Sequence, residues 1–399
     1  MTRSSNPLLM TEPGPLDVTL AATLVGLIAF GVVMVYSASA VYANNMFGNG
    51  YHFLVRQTVF AIAAFVVLFI FARVNIDLLR RSTYPVLLIA VVLMIAVALG
   101  FGRSAGGATR WLNLGPVNVQ PAELAKLAMI MWLAHSLAKK AHRVRTFSIG
   151  FLPHVLVAGL LMLLCLAQPD FGSAVMIALL TFVVLFAAGA KAGYLLGCVL
   201  LALPIGYAAI ASSPYRMRRI EAFLEPFEHR QGAGYQITES LMSFGSGGWT
   251  GVGLGDGRQK LLFLPEAHTD FISAIIGEEL GLIGVFLLSA AFAWIVFRGL
   301  RAAWRAQDEY AGYLAAGMTL FIGLQAFTNL AVAMGLLPTK GLALPFVSYG
   351  GSSLLVNAAA AGIILNTSRF GRSRPAEAPT KAKPKRRQPQ LRTARGGAQ

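Results

Sequence analysis

Charge is scarce in this sequence. Only 13% of its 399 residues are Asp, Glu, Lys or Arg, about half the share usual in soluble domains. Beside 56% hydrophobic residues, that shortage excludes the two or three soluble domains that length alone would allow. Cysteine is scarcer still: Cys165 and Cys198 stand in apolar runs, form no CxxC and read as packing residues, silent on redox compartment. Acidic residues are half as numerous as basic ones, 17 against 33, which leaves a formal net charge of +16. The distribution of that charge does not describe a nucleic-acid surface. From Ser368 onward ten Lys/Arg face one Glu, so the end of the chain supplies +9, and the remaining +7 is spread over loops without forming a basic patch interleaved with aromatics.

What the sequence has in abundance is long apolar runs. A helix crossing a bilayer needs about 20 apolar residues. Ten runs qualify, near 18–40, 54–72, 83–100, 121–138, 150–167, 172–190, 192–212, 270–297, 311–334 and 348–366. The first is too long for a signal-peptide core and is retained as a span. Basic residues mark one set of connections as cytoplasmic: Arg73, Arg80 and Arg81; Lys139, Lys140, Arg143 and Arg145; Lys191; Arg298, Arg301 and Arg305. The expectation is an all-α integral membrane protein of ten helices with both termini inside. Residues 1–16 form a short cytoplasmic segment, 17–367 the membrane domain, and 368–399 a basic, disordered cytoplasmic tail.

The unusual residues gather on the opposite face. The connection 213–269 is too long for a mere linker. Its start, YRMRRIEAFLEPFEHRQGAGYQ, mixes aromatic, apolar and basic residues as an interfacial helix does. The following GSGGWTGVGLGDGRQK matches neither GxGxxG nor GxxxxGK[ST] and lies in no strand–helix context, so it signals no nucleotide site. Arg216, Arg218, Arg219, Arg230, Arg258 and Lys260 put positive charge where it is normally scarce; an anionic ligand and ordinary solvated charge explain it equally well. The last outer connection, GLLPTKGLALPFVSYGGSSLLVN, carries Pro338, Pro345 and several glycines. It reads as a re-entrant segment with Ser348, Ser352, Ser353 and Asn357 as hydrogen-bonding groups.

Four ionisable residues stand out around the eighth run, in LPEAHTDFISAIIGEELG. An ionised side chain at bilayer depth costs about 3 kcal/mol or more, so each needs a reason. Asp270 has no neutralising neighbour in sequence except His268. It is either a helix N-cap, a role Thr269 could share, or a functional carboxylate. Glu278 lies about 12 Å deeper at helical rise and could line the same cavity, whereas Glu279 points away and calls for a structural partner. His268 suits a hydrogen-bonding role, with base assistance or divalent-ion binding as alternatives. Glu123 and Lys126, three apart after Pro121, are either a structural ion pair or a cavity wall. Arg56 and Arg110 at the mouths of their spans could clamp a phosphate. The residues by themselves describe an outward-facing polar cavity for an anionic amphiphile, and leave open whether it is moved or chemically altered.

TRWLNLGPVNVQPAELAKL, YQITESLMSFGSGGWTGVGLGDGRQKLLFLPEAHTDFISAIIGEELGLIG and LPTKGLALPFVSYGGSSLLVN, in that order, resemble the SEDS family of shape, elongation, division and sporulation proteins over about nine-tenths of the chain. Glu266 and Ala267 in LPEAHTDFI and Lys340 in PTKG are similar to the division type more than the elongation type, with the sporulation relative close by. The resemblance implies an inverting peptidoglycan glycosyltransferase that polymerises lipid II outside the cytoplasmic membrane at the septum. Its implied partners are a class B penicillin-binding protein (an FtsI-type transpeptidase) and other divisome membrane proteins. It assigns the catalytic carboxylate to Asp270. It makes Arg56, Arg110, Glu123, Lys126, His268, Lys260, Lys340 and Ser352 substrate-binding or cavity-shaping residues. No protein metal site is implied, although basic residues or a divalent cation (Mg or Mn) can stabilise the departing diphosphate. The competing readings are a lipid II flippase, with ionisable residues along a path through the midplane, an elongation-type polymerase, and a non-catalytic scaffold.

Overall fold

The computed structural model describes residues 14–105, 108–113, 115, 118–261 and 263–370. The expected terminal segments 1–16 and 368–399 fall almost wholly outside these residues. The first seven helices are α1 (Val18–Phe47), α2 (His52–Phe71), α3 (Ile76–Ala96), α4 (Pro121–Lys139), α5 (Leu152–Ala167), α6 (Phe171–Ala187) and α7 (Ala192–Ala211). Two helices, α8 (Pro214–Leu224) and α9 (Tyr235–Gly247), lie in the long connection, followed by α10 (Ile272–Arg305), α11 (Glu309–Ala333) and α12 (Gly351–Arg369). Helices therefore occupy all ten expected apolar runs. Among the described residues, seven (α1, α2, α3, α5, α7, α10 and α11) are long and apolar enough to cross a membrane. The shorter α6 is also apolar. Helices α4 and α12 are almost entirely enclosed by other helices, so their polar residues meet protein rather than lipid.

Local signals in the sequence start several of these helices. Asp17 caps α1 by accepting from Leu20 N at 3.2 Å, and the same carboxylate accepts from Arg298 Nε at 2.7 Å. Asp170 caps α6 through Ser173 N at 3.0 Å, and Pro121 opens α4 at a position where its missing N–H costs nothing. Two apolar cores result. One joins α1, α2, α10, α11 and α12; the other joins α3, α4, α5 and α6. The interface of α4 with α11 connects them, and Gly317 meets Ile130 there.

The structure corrects the sequence reading in two places. The protein is not purely helical: β1 (Arg103–Ala105), β2 (Ala108–Asn113) and β3 (Asn118–Val119) form an antiparallel meander between α3 and α4. The long connection also holds a buried helix. Ile237, Thr238, Ser240 and Ser243 of α9 are enclosed. Their polar groups are met internally, Ser240 Oγ donating to Ala333 O at 2.6 Å and Thr238 Oγ1 to Pro226 O at 2.9 Å. A segment this polar gives no hydropathy signal, yet packs because its hydrogen bonds stay inside the protein.

Helix α10 is interrupted at Gly281, whose φ of 65° and ψ of −165° are accessible to glycine and little else. Residues 248–253 supply the hydrogen bonds that the break removes. Leu282 N donates to Gly248 O at 2.9 Å and Ile283 N to Trp249 O at 3.1 Å, while Val252 N and Gly253 N donate to Glu278 O and Glu279 O. Irregular backbone at this depth is tolerated only when so satisfied. A Cβ at position 281 would lie 2.3 Å from Gly251 N. Gly281→Ala should therefore cost at least about 2 kcal/mol, seen as a lower Tm in detergent; an unchanged Tm would show that the break is incidental.

Candidate active site

One end of the bundle is assembled from the segment preceding α10 and from residues 338–350, which connect α11 to α12. That second segment is a strap: Leu342, Leu344, Phe346 and Val347 are buried, and its chain reaches α1 at Gly31, near the middle of that helix. The segment expected to be re-entrant is thus buried within the bundle. The strap fixes two consecutive carbonyl groups before α10, and α11 fixes the next. Tyr349 N donates to His268 O at 2.9 Å, Ser348 Oγ to Thr269 O at 2.5 Å, and Asn329 Nδ2 to Asp270 O at 2.7 Å. Two residues nearby, Glu266 and Phe346, hold left-handed backbone at φ 56° and 65°. Such strain in non-glycine residues concentrates at functional sites.

Asp270 sits two residues before α10 and caps nothing, since the cap position is Phe271 with no side-chain hydrogen bond. Thr269 does not cap either; its hydroxyl bonds Glu266. The Asp270 carboxylate accepts no hydrogen bond among the described residues, and Gly341 passes so close that a Cβ there would lie 2.9 Å from Oδ2. Burial pushes its pKa from 3.8 up to about 7; the Glu266 charge adds to the rise, while the positive charges of Arg219 and Arg110 oppose it. An unpartnered carboxylate that titrates near neutrality is suited to accept a proton.

Cations converge beside it. Arg110, on β2, donates to Pro169 O, and Arg219, on α8, donates to Thr339 O at 3.1 Å. Lys340 and Arg216 each lie 5.5 Å from the Phe171 ring. Burial lowers the Lys340 pKa to about 8 against the pull of Asp170. Ser352 contributes to the wall: its hydroxyl donates to Asn118 O at 2.8 Å and accepts from Gln120 N at 3.3 Å, tying α12 to β3. Arg216 and Arg219 were visible in the sequence only as members of a charged loop. Their placement depends on α8 lying back over the α5–α6 turn and the strap.

Other expected site residues lie elsewhere. Glu278 does not line a deeper cavity; it is buried and accepts from Arg258 N at 2.7 Å and from Gln259 N. Lys260, expected to contact substrate, is engaged internally instead. Its ammonium has three donors, and Glu279 Oε1 at 2.6 Å, Gly255 O at 2.6 Å and Ser37 Oγ at 3.0 Å take all of them. Glu279 is accordingly the structural partner its orientation suggested. Glu123 and Lys126 form a buried 2.7 Å ion pair. Arg56 is exposed on α2 and has no partner among the described residues. The His268 ring packs among Phe53 at 4.6 Å, Tyr42 at 5.7 Å and Tyr349 at 5.7 Å. Burial lowers its pKa, and among the described residues its ring is held by these ring contacts, with no side-chain hydrogen bond.

Fold and site together define a mostly helical, multi-pass membrane protein that presents one unpaired carboxylate beside a cluster of cations at one end of its bundle. The chain belongs to the cell cycle protein family of FtsW, RodA and SpoVE, whose profile matches residues 18–373. Among curated relatives, a protein of Geobacter metallireducens named probable peptidoglycan glycosyltransferase FtsW is 47% identical over 88% of this chain and 94% of its own length. A Legionella pneumophila protein of the same name is 39% identical over 88% and 90%. Among solved structures, a chain from a peptidoglycan synthase complex described as coordinating polymerization and crosslinking is 28% identical, with a TM-score of 0.75, over 90% of this chain and 99% of its own. The rod shape determining protein RodA of Thermus thermophilus is 26% identical with a TM-score of 0.65, over 90% and 98%.

Two substitutions test the site's limits. Gly341→Ala should displace the Asp270 carboxylate and reduce turnover about 10²-fold without preventing folding; full activity would show that the close approach is unimportant. Lys260→Met leaves Glu279 buried without its partner and should destabilise the fold by about 3–5 kcal/mol, with Lys260→Met/Glu279→Gln recovering much of the loss. A stable but inactive Lys260→Met protein would return Lys260 to the substrate site.

Proposed function

We propose that the protein is a peptidoglycan glycosyltransferase that polymerises lipid II at the outer face of the cytoplasmic membrane during division. In this reading ten helices span the bilayer, both termini are cytoplasmic, and 213–269 is extracytoplasmic. The observation that carries the proposal is the unpartnered Asp270 carboxylate within reach of the charges of Arg219 and Arg110. Family membership and the names of the relatives support it. Similarity to a chain from a synthase complex that coordinates polymerization and crosslinking supports a class B penicillin-binding transpeptidase as partner. The reading includes septal placement and contact with other divisome membrane proteins, and the names of the relatives support it.

The chemistry needs one base. Asp270 takes the proton of the acceptor sugar hydroxyl as that oxygen bonds to the anomeric carbon of the donor. The bond from that carbon to the diphosphate oxygen breaks, its electron pair leaves with the lipid diphosphate, and the configuration inverts. The leaving group is already anionic, so Arg110, Arg219 and Lys340 stabilise its growing charge without a general acid. A divalent cation, the remaining suggestion of the resemblance, would travel on the diphosphate. Among the described residues no three His, Cys, Asp or Glu side chains gather into a metal cage.

The test is polymerisation of purified lipid II by the protein with its partner, comparing wild type with Asp270→Asn. Wild type should give glycan strands with an acidic limb near pH 7, because the base works as the carboxylate. The variant should give none. Raising a carboxyl's pKa in the folded state weakens the fold as pH rises through that value. The Asp270 contribution to stability is therefore full below about pH 4 and lost through about pH 7. Asp270→Asn should consequently raise Tm at pH 8 more than at pH 5. Equal polymer from both proteins would remove Asp270 from the mechanism, and lipid II translocation without polymer would favour a flippase.

A further inference from the structure

Asn329 stands inside α11 in the run LQAFTNLAVA, where an amide surrounded by apolar neighbours needs partners. It is 2% exposed, and its side chain is engaged at both ends. Nδ2 donates one hydrogen to Asp270 O at 2.7 Å and the other to Leu342 O at 2.7 Å, while Oδ1 accepts from Ser273 Oγ at 3.0 Å. The orientation of the amide is fixed by chemistry: two carbonyl oxygens can only accept, so the atom facing them is the nitrogen.

This one side chain therefore joins three separate pieces. Asp270 belongs to the segment before α10, Ser273 to the first turn of α10, and Leu342 to the strap. The strap residue next to Leu342 is Gly341, which crowds the Asp270 carboxylate. Holding the two carbonyls on one nitrogen thus fixes the distance between carboxylate and strap while leaving both carboxylate oxygens free. Ser348 and Tyr349 hold the carbonyls of Thr269 and His268, but neither bonds Asp270 itself. Besides Asn329, no described side chain bonds both Asp270's own peptide and the strap.

We propose that Asn329 is the positioning residue for Asp270, setting its carboxylate against the acceptor hydroxyl through the paired bonds to Asp270 O and Leu342 O. The inference rests on Asp270 being the catalytic carboxylate.

The test uses the full-length protein with its partner, lipid II as substrate, and kcat and KM measured separately. Asn329→Leu keeps the volume but removes both donors. It should lower kcat about 10²-fold, the scale of a 1 Å misplacement, with KM within twofold. Asn329→Asp, isosteric and able to donate at most one proton, should lose less and recover activity at low pH relative to Asn329→Leu. Ser273→Ala, which removes the Oδ1 contact but leaves both carbonyl bonds, should lower kcat by threefold or less. Should Asn329→Leu fail to fold, Asn329→Asp against Ser273→Ala makes the same comparison. A kcat within threefold of wild type for the Asn329 variants, a rise in KM alone, or an equal loss from Ser273→Ala would overturn the proposal. Asp270→Asn, measured beside them, separates the two levels: an active Asp270→Asn protein defeats the catalytic reading, whereas an inactive one with fully active Asn329 variants defeats only the positioning role.

Discussion

A row of three peptide carbonyls, those of His268, Thr269 and Asp270, governs one end of this bundle. They lie where the chain is neither helix nor strand, among buried elements, and an unmet carbonyl there would cost on the order of 1–3 kcal/mol. Each is met from outside its own segment, by Tyr349 N, Ser348 Oγ and Asn329 Nδ2. The requirement gives a role to the α11–α12 connection, which enters the bundle with Ser348 and Tyr349, and to Asn329 within α11. It also explains how Asp270 can be held firmly by its backbone while its carboxylate stays free.

That freedom has an energetic consequence. Glu278 and Glu279, as deeply enclosed as any carboxylates in the protein, are fully provided with donors: backbone N–H groups for the first, Lys260 and Ser37 for the second. Asp270, eight and nine residues earlier, receives none, and its pKa rises accordingly. That contrast with Glu278 and Glu279 sets Asp270 apart. A carboxyl poised near neutrality against arginines that hold diphosphate charge fits glycosyl transfer with inversion, in which base and leaving-group stabilisation come from opposite sides of one carbon.

Much of the fold was legible in the sequence because a bilayer demands long apolar runs, and helices occupy all ten of those read there. Asp270 was legible for a related reason, as an acidic residue at a span mouth without a neutralising neighbour. What escaped was whatever depends on pairing across the chain. Lys260 looked like a cation awaiting an anion until Glu279 and Ser37, 19 and 223 residues away, took its protons. Glu278 looked like a cavity residue until two backbone N–H groups were found on it. Helix α9 was hidden by its own polarity, and the β1–β3 meander by its short strands. Arg219 looked like one of several loop arginines until α8 carried it to Thr339. For Asn329 a signal did exist, an amide in the middle of an apolar run, but its partners lie in two other segments.

The most direct measurement is the position of the acceptor sugar in a structure of the protein with lipid-linked substrates bound. If Asp270 is the base, the attacking hydroxyl lies within about 2.6–3.2 Å of its carboxylate, with the donor diphosphate against Arg110, Arg219 and Lys340. A hydroxyl beyond the reach of Asp270 and of a single bridging water, or a diphosphate seated away from those three cations, would contradict the assignment.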